Sequence, residues 1–332
     1  MKAAQYKEKG KLEIVQLPIP NAGKNQLRIK VKACGICHTD IFVGLQALHN
    51  PLPIVPGHEV IGVVDQIGEG STKHKIGDLV GVGWFGGNAC HQCSECRNGD
   101  LVLCSKSQVC GLSYNGGYAE YMVAPEDAFA VVPKNYDPKL AACLGCAGVT
   151  TFNGIRNLNI PVGSLVAVSG IGGLGHLAVQ YCNKMGYEVV ALSTSMEKEK
   201  LSKQLGAHHY IDTSTATWKE DLAKLGSVKL IVATAPSVNV ATELQYCTGR
   251  GGKLLILAPM TEPIPVNSIN LIANRSIHSS SSGDNFDVED TYNFSKLHNV
   301  VPMIQTYKLE EAPKALAEIN KARFRGVIVF DQ

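Results

Sequence analysis

Residues 164–185 read SLVAVSGIGGLGHLAVQYCNKM, and they leave the chain around them little choice of fold. The apolar run SLVAVSG has the length of a buried strand, and it passes straight into Gly170, Gly172 and Gly175 in G-x-G-x-x-G spacing. Leu174, Leu177, Ala178, Tyr181 and Met185 then recur at helical spacing. Strand and helix patterns alternate from there on: EVVAL, MEKEKLSKQLG, HYID, TWKEDLAKL, KLIVA, VATELQYC and GKLLIL. Repeated winding of this kind predicts an α/β fold, a doubly wound parallel sheet covered by helices. In such a turn the first glycine permits the tight bend, the second admits a pyrophosphate and the third lets helix and strand pack closely. Gly170, Gly172, Gly173, Leu174 and Gly175 are therefore expected to bind a dinucleotide at the helix N-terminus, where amide donors and a partial positive charge meet the phosphates.

The end of the next strand speaks to which dinucleotide. An NAD site places Asp or Glu there to bind the ribose hydroxyls, and that charge repels a 2′-phosphate. This chain has Ser193, Thr194 and Ser195, with Lys198 close behind. Hydroxyl donors plus a cation fit NADP; the competing role is that of an ordinary helix start with Ser195 as its cap.

Residues 90–104, CHQCSECRNGDLVLC, hold Cys90, Cys93, Cys96 and Cys104 in one short loop. Four thiolates at that spacing can surround one zinc tetrahedrally, and four protein ligands leave no position for substrate. The expected role is structural. A second ligand set is dispersed: Cys37 in CGICHTD, His58 and Glu59 in PGHE, and Cys146 in LGCAGVTT. Two thiolates and an imidazole would leave zinc an open position, as a catalytic centre requires, but three distant segments must first be folded together. The chain has 11 cysteines and no apparent secretory leader, which favours metal over disulfides and an intracellular, cytoplasmic setting. Cys34, Cys110, Cys143, Cys182 and Cys247 are left for packing. With 31 Lys and Arg against 29 Asp and Glu there is no general attraction to nucleic acid or anionic lipid, and no apolar run is long enough to span a bilayer. Before about residue 148 the chain is rich in short alternating runs, among them LRIKV with Leu27, Ile29 and Val31 on one face, which indicates a β-rich domain.

In this order CGICHTD, PGHE, the four-cysteine loop, GGYAEY, CAGVT and strand–GIGGLG–helix resemble the zinc-containing medium-chain alcohol dehydrogenases over nearly the whole chain. The STSMEK stretch is most similar to the NADP-preferring branch of cinnamyl alcohol dehydrogenases and broad aldehyde reductases. The resemblance implies a GroES-like β-rich catalytic domain (1–147 and 281–332) carrying both zinc sites, and a Rossmann cofactor domain (148–280). It implies two Zn2+ per chain: Cys37, His58 and Cys146 with the exchangeable Glu59 at the catalytic ion, and Cys90, Cys93, Cys96 and Cys104 at the structural one. It further implies hydride transfer between NADP(H) and a primary alcohol or aldehyde, and a homodimer or homotetramer.

Within that family pattern Thr39 is the group that passes the substrate proton, Asp40 orients His58, and His38 contacts cofactor phosphate. Trp84 and Phe85 match positions that line a substrate channel, which fits a hydrophobic or aromatic substrate; either could equally be core. Ser279–Ser282 match the nicotinamide surroundings loosely. One departure stands out: many relatives carry a proton-relay histidine where this chain has Phe42. Two other readings compete, an NAD-dependent ethanol-type dehydrogenase and a non-catalytic, zinc-stabilised dinucleotide-binding protein. The second gives no reason for Cys37, His58 and Cys146 to occur together.

Overall fold

The computed structural model describes residues 1–319 and 324–330; residues 320–323 and 331–332, within the predicted 281–332 segment, lie outside the described residues. The chain divides into two compact units, Met1–Val149 with Ser282–Gln332, and Thr150–Ser281.

The first unit is built on a seven-stranded sheet in the order Ile304–Lys308, Arg325–Val329, Gln26–Ile36, Val60–Ile67, Leu79–Val82 and Phe129–Val131, with Tyr121–Pro125 also pairing to Gln26–Ile36. All pairs are antiparallel except that between Ile304–Lys308 and Arg325–Val329. The alternation read in LRIKV sets its core: Leu27, Ile29 and Val31 are fully buried, as period-two side chains on one face of a covered strand must be. The residues after Ser282 return to this sheet, so Arg325–Val329 lies against Gln26–Ile36 with Ile328 opposite Cys34.

The second unit is the parallel sheet expected from the alternation. Its order is His209–Asp212, Glu188–Ser193, Leu165–Ser169, Leu230–Ala233, Lys253–Ile256 and Ser276–Ser279. Numbered along this unit, that is 3-2-1-4-5-6, the dinucleotide-binding order whose first strand carries the glycine turn. The helix after the turn spans Gly175–Lys184, so Leu174 and Met185 flank it rather than extend its apolar face. Gly175 through Cys182 are all buried, so this helix is a core element and not the one-sided surface helix that its periodicity describes. Among the described residues no helix is long and apolar enough to cross a membrane.

Candidate active site and metal centres

The dispersed ligand set converges. Cys37 follows the strand Gln26–Ile36 and is the N-cap of the helix His38–Gly44, whereas His58 and Glu59 immediately precede the strand Val60–Ile67. Cys146 ends the short 3-10 turn Cys143–Gly145. One ligand atom from each of Cys37, His58, Glu59 and Cys146 lies within 4.8 Å of all the others. The Cys37 and Cys146 sulfurs are 3.9 Å apart. Tetrahedral zinc at its usual sulfur distance separates two sulfurs by roughly 3.8 Å.

Asp40, fully buried, organises this corner. Its carboxylate accepts from the Cys37 amide (2.9 Å), the Gly57 amide (3.1 Å) and the Tyr118 hydroxyl (3.0 Å), and Oδ1 faces His58 Nδ1 at 3.5 Å. With Nδ1 turned to the carboxylate, Nε2 is the nitrogen left for a metal. His58 Nε2 and Glu59 Oε2 are buried and have no hydrogen-bond partner among the described residues. Such atoms are costly unless something else binds them, and a cation shared with two sulfurs fits the chemistry of the donor set. The Cys37 thiol is driven well below its usual range by its hydrogen bond with Cys146, against its own burial and helped by His58 and Arg325. Cys146 is held well above it by the same sulfur–sulfur contact and by its burial.

Glu59 pairs with Arg325 across the sheet. Burial nevertheless pushes the Glu59 carboxyl up to about 8, outweighing the arginine. Room for this side chain comes from the CGIC glycine: a Cβ on Gly35 would lie 1.9 Å from Glu59 Oε2. The Cys37 thiol donates to the Thr39 hydroxyl oxygen at 3.5 Å. Trp84 meets the His58 ring edge-on, with centroids 5.4 Å apart. Phe85, by contrast, is 2% exposed and packs with Ala89, Leu101 and Cys104 under the four-cysteine loop, which is the core role rather than the channel role. His38 and Phe42 are exposed. Nothing local in the sequence marks Arg325, and Tyr118 lies within GGYAEY, a family motif with no role of its own in the sequence.

The four-cysteine loop closes on itself. The sulfurs of Cys90, Cys93, Cys96 and Cys104 lie within 4.8 Å of one another, with Cys90 and Cys96 3.9 Å apart. Backbone amides point at them: Gln92 (3.5 Å) and Cys93 (3.3 Å) donate to Cys90, Cys96 (3.5 Å) to Cys93, and Cys90 (3.3 Å) to Cys104. The Gln92 and Cys93 amides pull the Cys90 thiol down to about 6, whereas Cys93, beside the other thiols, is pushed up to about 12. Asp127 ties down the loop entrance by accepting from the amides of Asn88 (3.0 Å) and Ala89 (3.2 Å).

In the second unit Gly170 and Gly175 are required by the protein's own geometry, whereas Gly172 leaves open space. Gly170 has φ +88, a Cβ on Gly175 would stand 1.8 Å from the Gly170 carbonyl oxygen, and a Cβ on Gly172 would meet nothing within 4 Å. The amides of Ile171, Gly172, Gly173 and Leu174 find no acceptor among the described residues, so the turn presents an unpaired donor array at a helix N-terminus. Ser193 is the buried last residue of its strand, followed by exposed Thr194 and half-buried Ser195 and Lys198. Ser195 Oγ accepts from the Glu197 amide (3.1 Å), which is the cap role, and Tyr210 donates its hydroxyl to the Ser195 carbonyl.

Comparison with known proteins agrees with this arrangement. Residues 23–134 match the alcohol dehydrogenase GroES-like domain, and residues 173–299 match the zinc-binding dehydrogenase domain. The alcohol dehydrogenase patD of Penicillium expansum is 43% identical over 333 residues, covering 98% of this chain and 97% of that protein. Among solved structures, a cinnamyl alcohol dehydrogenase from Sorghum bicolor superposes with a TM-score of 0.88 at 29% identity, over 99% of this chain and 96% of the other. The CAD of Helicobacter pylori, solved with NADP(H), gives 0.86 at 26% identity over 99% and 97%. With two converged cysteine-containing clusters, a glycine turn on the first strand of a 3-2-1-4-5-6 sheet and relatives along its whole length, the chain belongs to the zinc-containing medium-chain alcohol dehydrogenase family.

Proposed function

We propose that this dehydrogenase is a cytoplasmic NADP(H)-linked enzyme that interconverts hydrophobic or aromatic aldehydes and primary alcohols, carries two zinc ions per chain, and works as a homodimer or homotetramer. The observation that carries the chemistry is the convergence of Cys37, His58, Glu59 and Cys146, with a buried imidazole nitrogen left unpaired. Zinc held there supplies Lewis-acid polarisation of a carbonyl or a lowered alcohol pKa, and the nicotinamide supplies the hydride chemistry.

The protein's own groups divide the remaining work. Asp40 fixes the His58 ring so that Nε2 is the ligand nitrogen, and the Cys37 amide, held by the same carboxylate, sets the direction of the first thiolate. The Thr39 hydroxyl, next to Cys37 Sγ, is placed to exchange a proton with the substrate oxygen. Glu59, anchored by Arg325 through one oxygen, keeps the other available to the metal. Trp84, against the edge of His58, gives the substrate an apolar wall, and His38 serves cofactor phosphate. In the second unit the amides of the glycine turn receive the pyrophosphate, while Ser193, Thr194, Ser195 and Lys198 receive the 2′-phosphate. That stretch has no carboxylate at the strand end, which supports NADP, as does the NADP(H) bound to the Helicobacter pylori protein.

Steady-state reduction of an aliphatic and aromatic aldehyde panel with NADPH and with NADH tests this directly. NADPH should give the higher kcat/KM, and aromatic aldehydes the best turnover. Equal or better use of NADH would reject the cofactor assignment while leaving the zinc chemistry standing.

A further inference from the structure

The strand Leu230–Ala233 lies beside Leu165–Ser169, with Ala233 opposite Ser169, and the next residue, Thr234, reaches the base of the glycine turn. Its amide donates to the Ser169 carbonyl at 3.0 Å. Its hydroxyl lies 2.9 Å from that carbonyl and 2.8 Å from the carbonyl of Gly170, so one proton serves two acceptors at the first glycine. We infer that Thr234 is a positioning residue for the cofactor: it pins the carbonyl edge of the glycine turn inward and thereby leaves the amide edge open to the dinucleotide pyrophosphate. The inference rests on the dinucleotide reading given above and adds a residue that the glycine motif does not contain.

Gly170 sits at φ +88, where glycine has wide conformational freedom and no side chain of its own to select one state. An outside hydrogen bond can make the selection. Across a trans peptide C=O and N–H point in opposite directions, so holding the Gly170 oxygen toward Thr234 turns the Ile171 amide away from it. The same oxygen is pressed against the third glycine: a Cβ on Gly175 would stand 1.8 Å from it and 3.1 Å from Thr234 Oγ1. Hydroxyl, carbonyl and Gly175 thus form one packed contact. On the other side of the turn the amides of Ile171 to Leu174 have no acceptor among the described residues. A donor array fixed before the ligand arrives loses less entropy on binding than one that must be ordered by it.

Thr234→Val keeps the shape and removes the hydroxyl, whereas Thr234→Ser keeps the hydroxyl. Each zinc-loaded protein, with its melting temperature recorded, is titrated with NADPH, with NADH, and with adenosine 2′-monophosphate, which lacks the pyrophosphate. The valine variant should bind both dinucleotides about tenfold more weakly, with KM for cofactor raised and kcat retained, and the serine variant should stay within about twofold of wild type. Adenosine 2′-monophosphate should bind all three proteins alike. Unchanged dinucleotide affinity in the valine variant would overturn the assignment. Equal weakening of dinucleotide and monophosphate would overturn it too, because that marks a general loosening of the sheet. A wild-type protein that binds neither dinucleotide would remove the underlying cofactor reading, and the role of Thr234 with it.

Discussion

Three donors and one imidazole converge on the two oxygens of Asp40, and removing the charge there should disturb the ligands without touching them. Asp40→Asn keeps the volume but sets an amide against donors, so zinc affinity and turnover should each fall about 10–100-fold, measurable as faster zinc loss to a chelator. Zinc retention equal to wild type would show that Asp40 does not position His58. Arg325 is a different case. It is 8% exposed and pairs with a fully buried Glu59, so Arg325→Met leaves an uncompensated buried group. Denaturant unfolding above about pH 8, where Glu59 is ionised, should show a loss of up to about 3–5 kcal/mol that shrinks at lower pH as the carboxyl takes up a proton. At position 42, Phe42→His places an imidazole where the family's relay usually has one, and should add an ionisation near about pH 6.5 to the profile of alcohol oxidation. An unchanged profile removes that position from the proton path. Cys37, His58 and Cys146 were legible in the sequence because their residue types carry the chemistry. Arg325 and Tyr118 were not, because their partners stand 266 and 78 residues away and nothing local announces them.

Elements differ in how much of their role local sequence can carry. The strand–glycine–helix was readable from spacing alone, since its first and third glycines answer a contact made within a few residues: Gly170 meets Gly175 inside the same turn. The ends of the following helix were less readable, because Leu174 and Met185 satisfy the apolar period and yet lie just outside it. Phe85 shows the same limit, since an aromatic beside the cysteine loop reads equally well as channel or core, and packing decided for core. At the end of the second strand of the parallel sheet, Ser193→Asp should move preference from NADPH toward NADH, because a carboxylate there repels a 2′-phosphate and binds ribose hydroxyls. A variant that still prefers NADPH would contradict the role given to Ser193. For the four-cysteine loop, stripping metal should raise amide exchange across residues 88–107 while the parallel sheet keeps its protection, since the loop's own apolar cluster is small.

At the scale of the molecule, the order of the chain explains why the catalytic cluster could be named from the sequence but not built from it. Cys37 follows one strand, His58 precedes the next, Cys146 closes a turn 109 residues beyond Cys37, and Arg325 arrives on a strand supplied by the returning C-terminal segment. Fold class followed from repeated local patterns, whereas the cluster depends on pairings that only a closed sheet makes. That cluster is proposed as the metal centre that performs the chemistry, separate from the closed four-cysteine site. The direct measurement is zinc content per chain together with aldehyde turnover, for wild type and for Cys146→Ala, on protein whose folding is verified by circular dichroism. The two clusters predict two zinc ions in wild type, and one ion with turnover lost in the variant. A variant that keeps both ions, or that loses one and still turns over aldehyde at the wild-type rate, would contradict the assignment of Cys37, His58 and Cys146 as the catalytic centre.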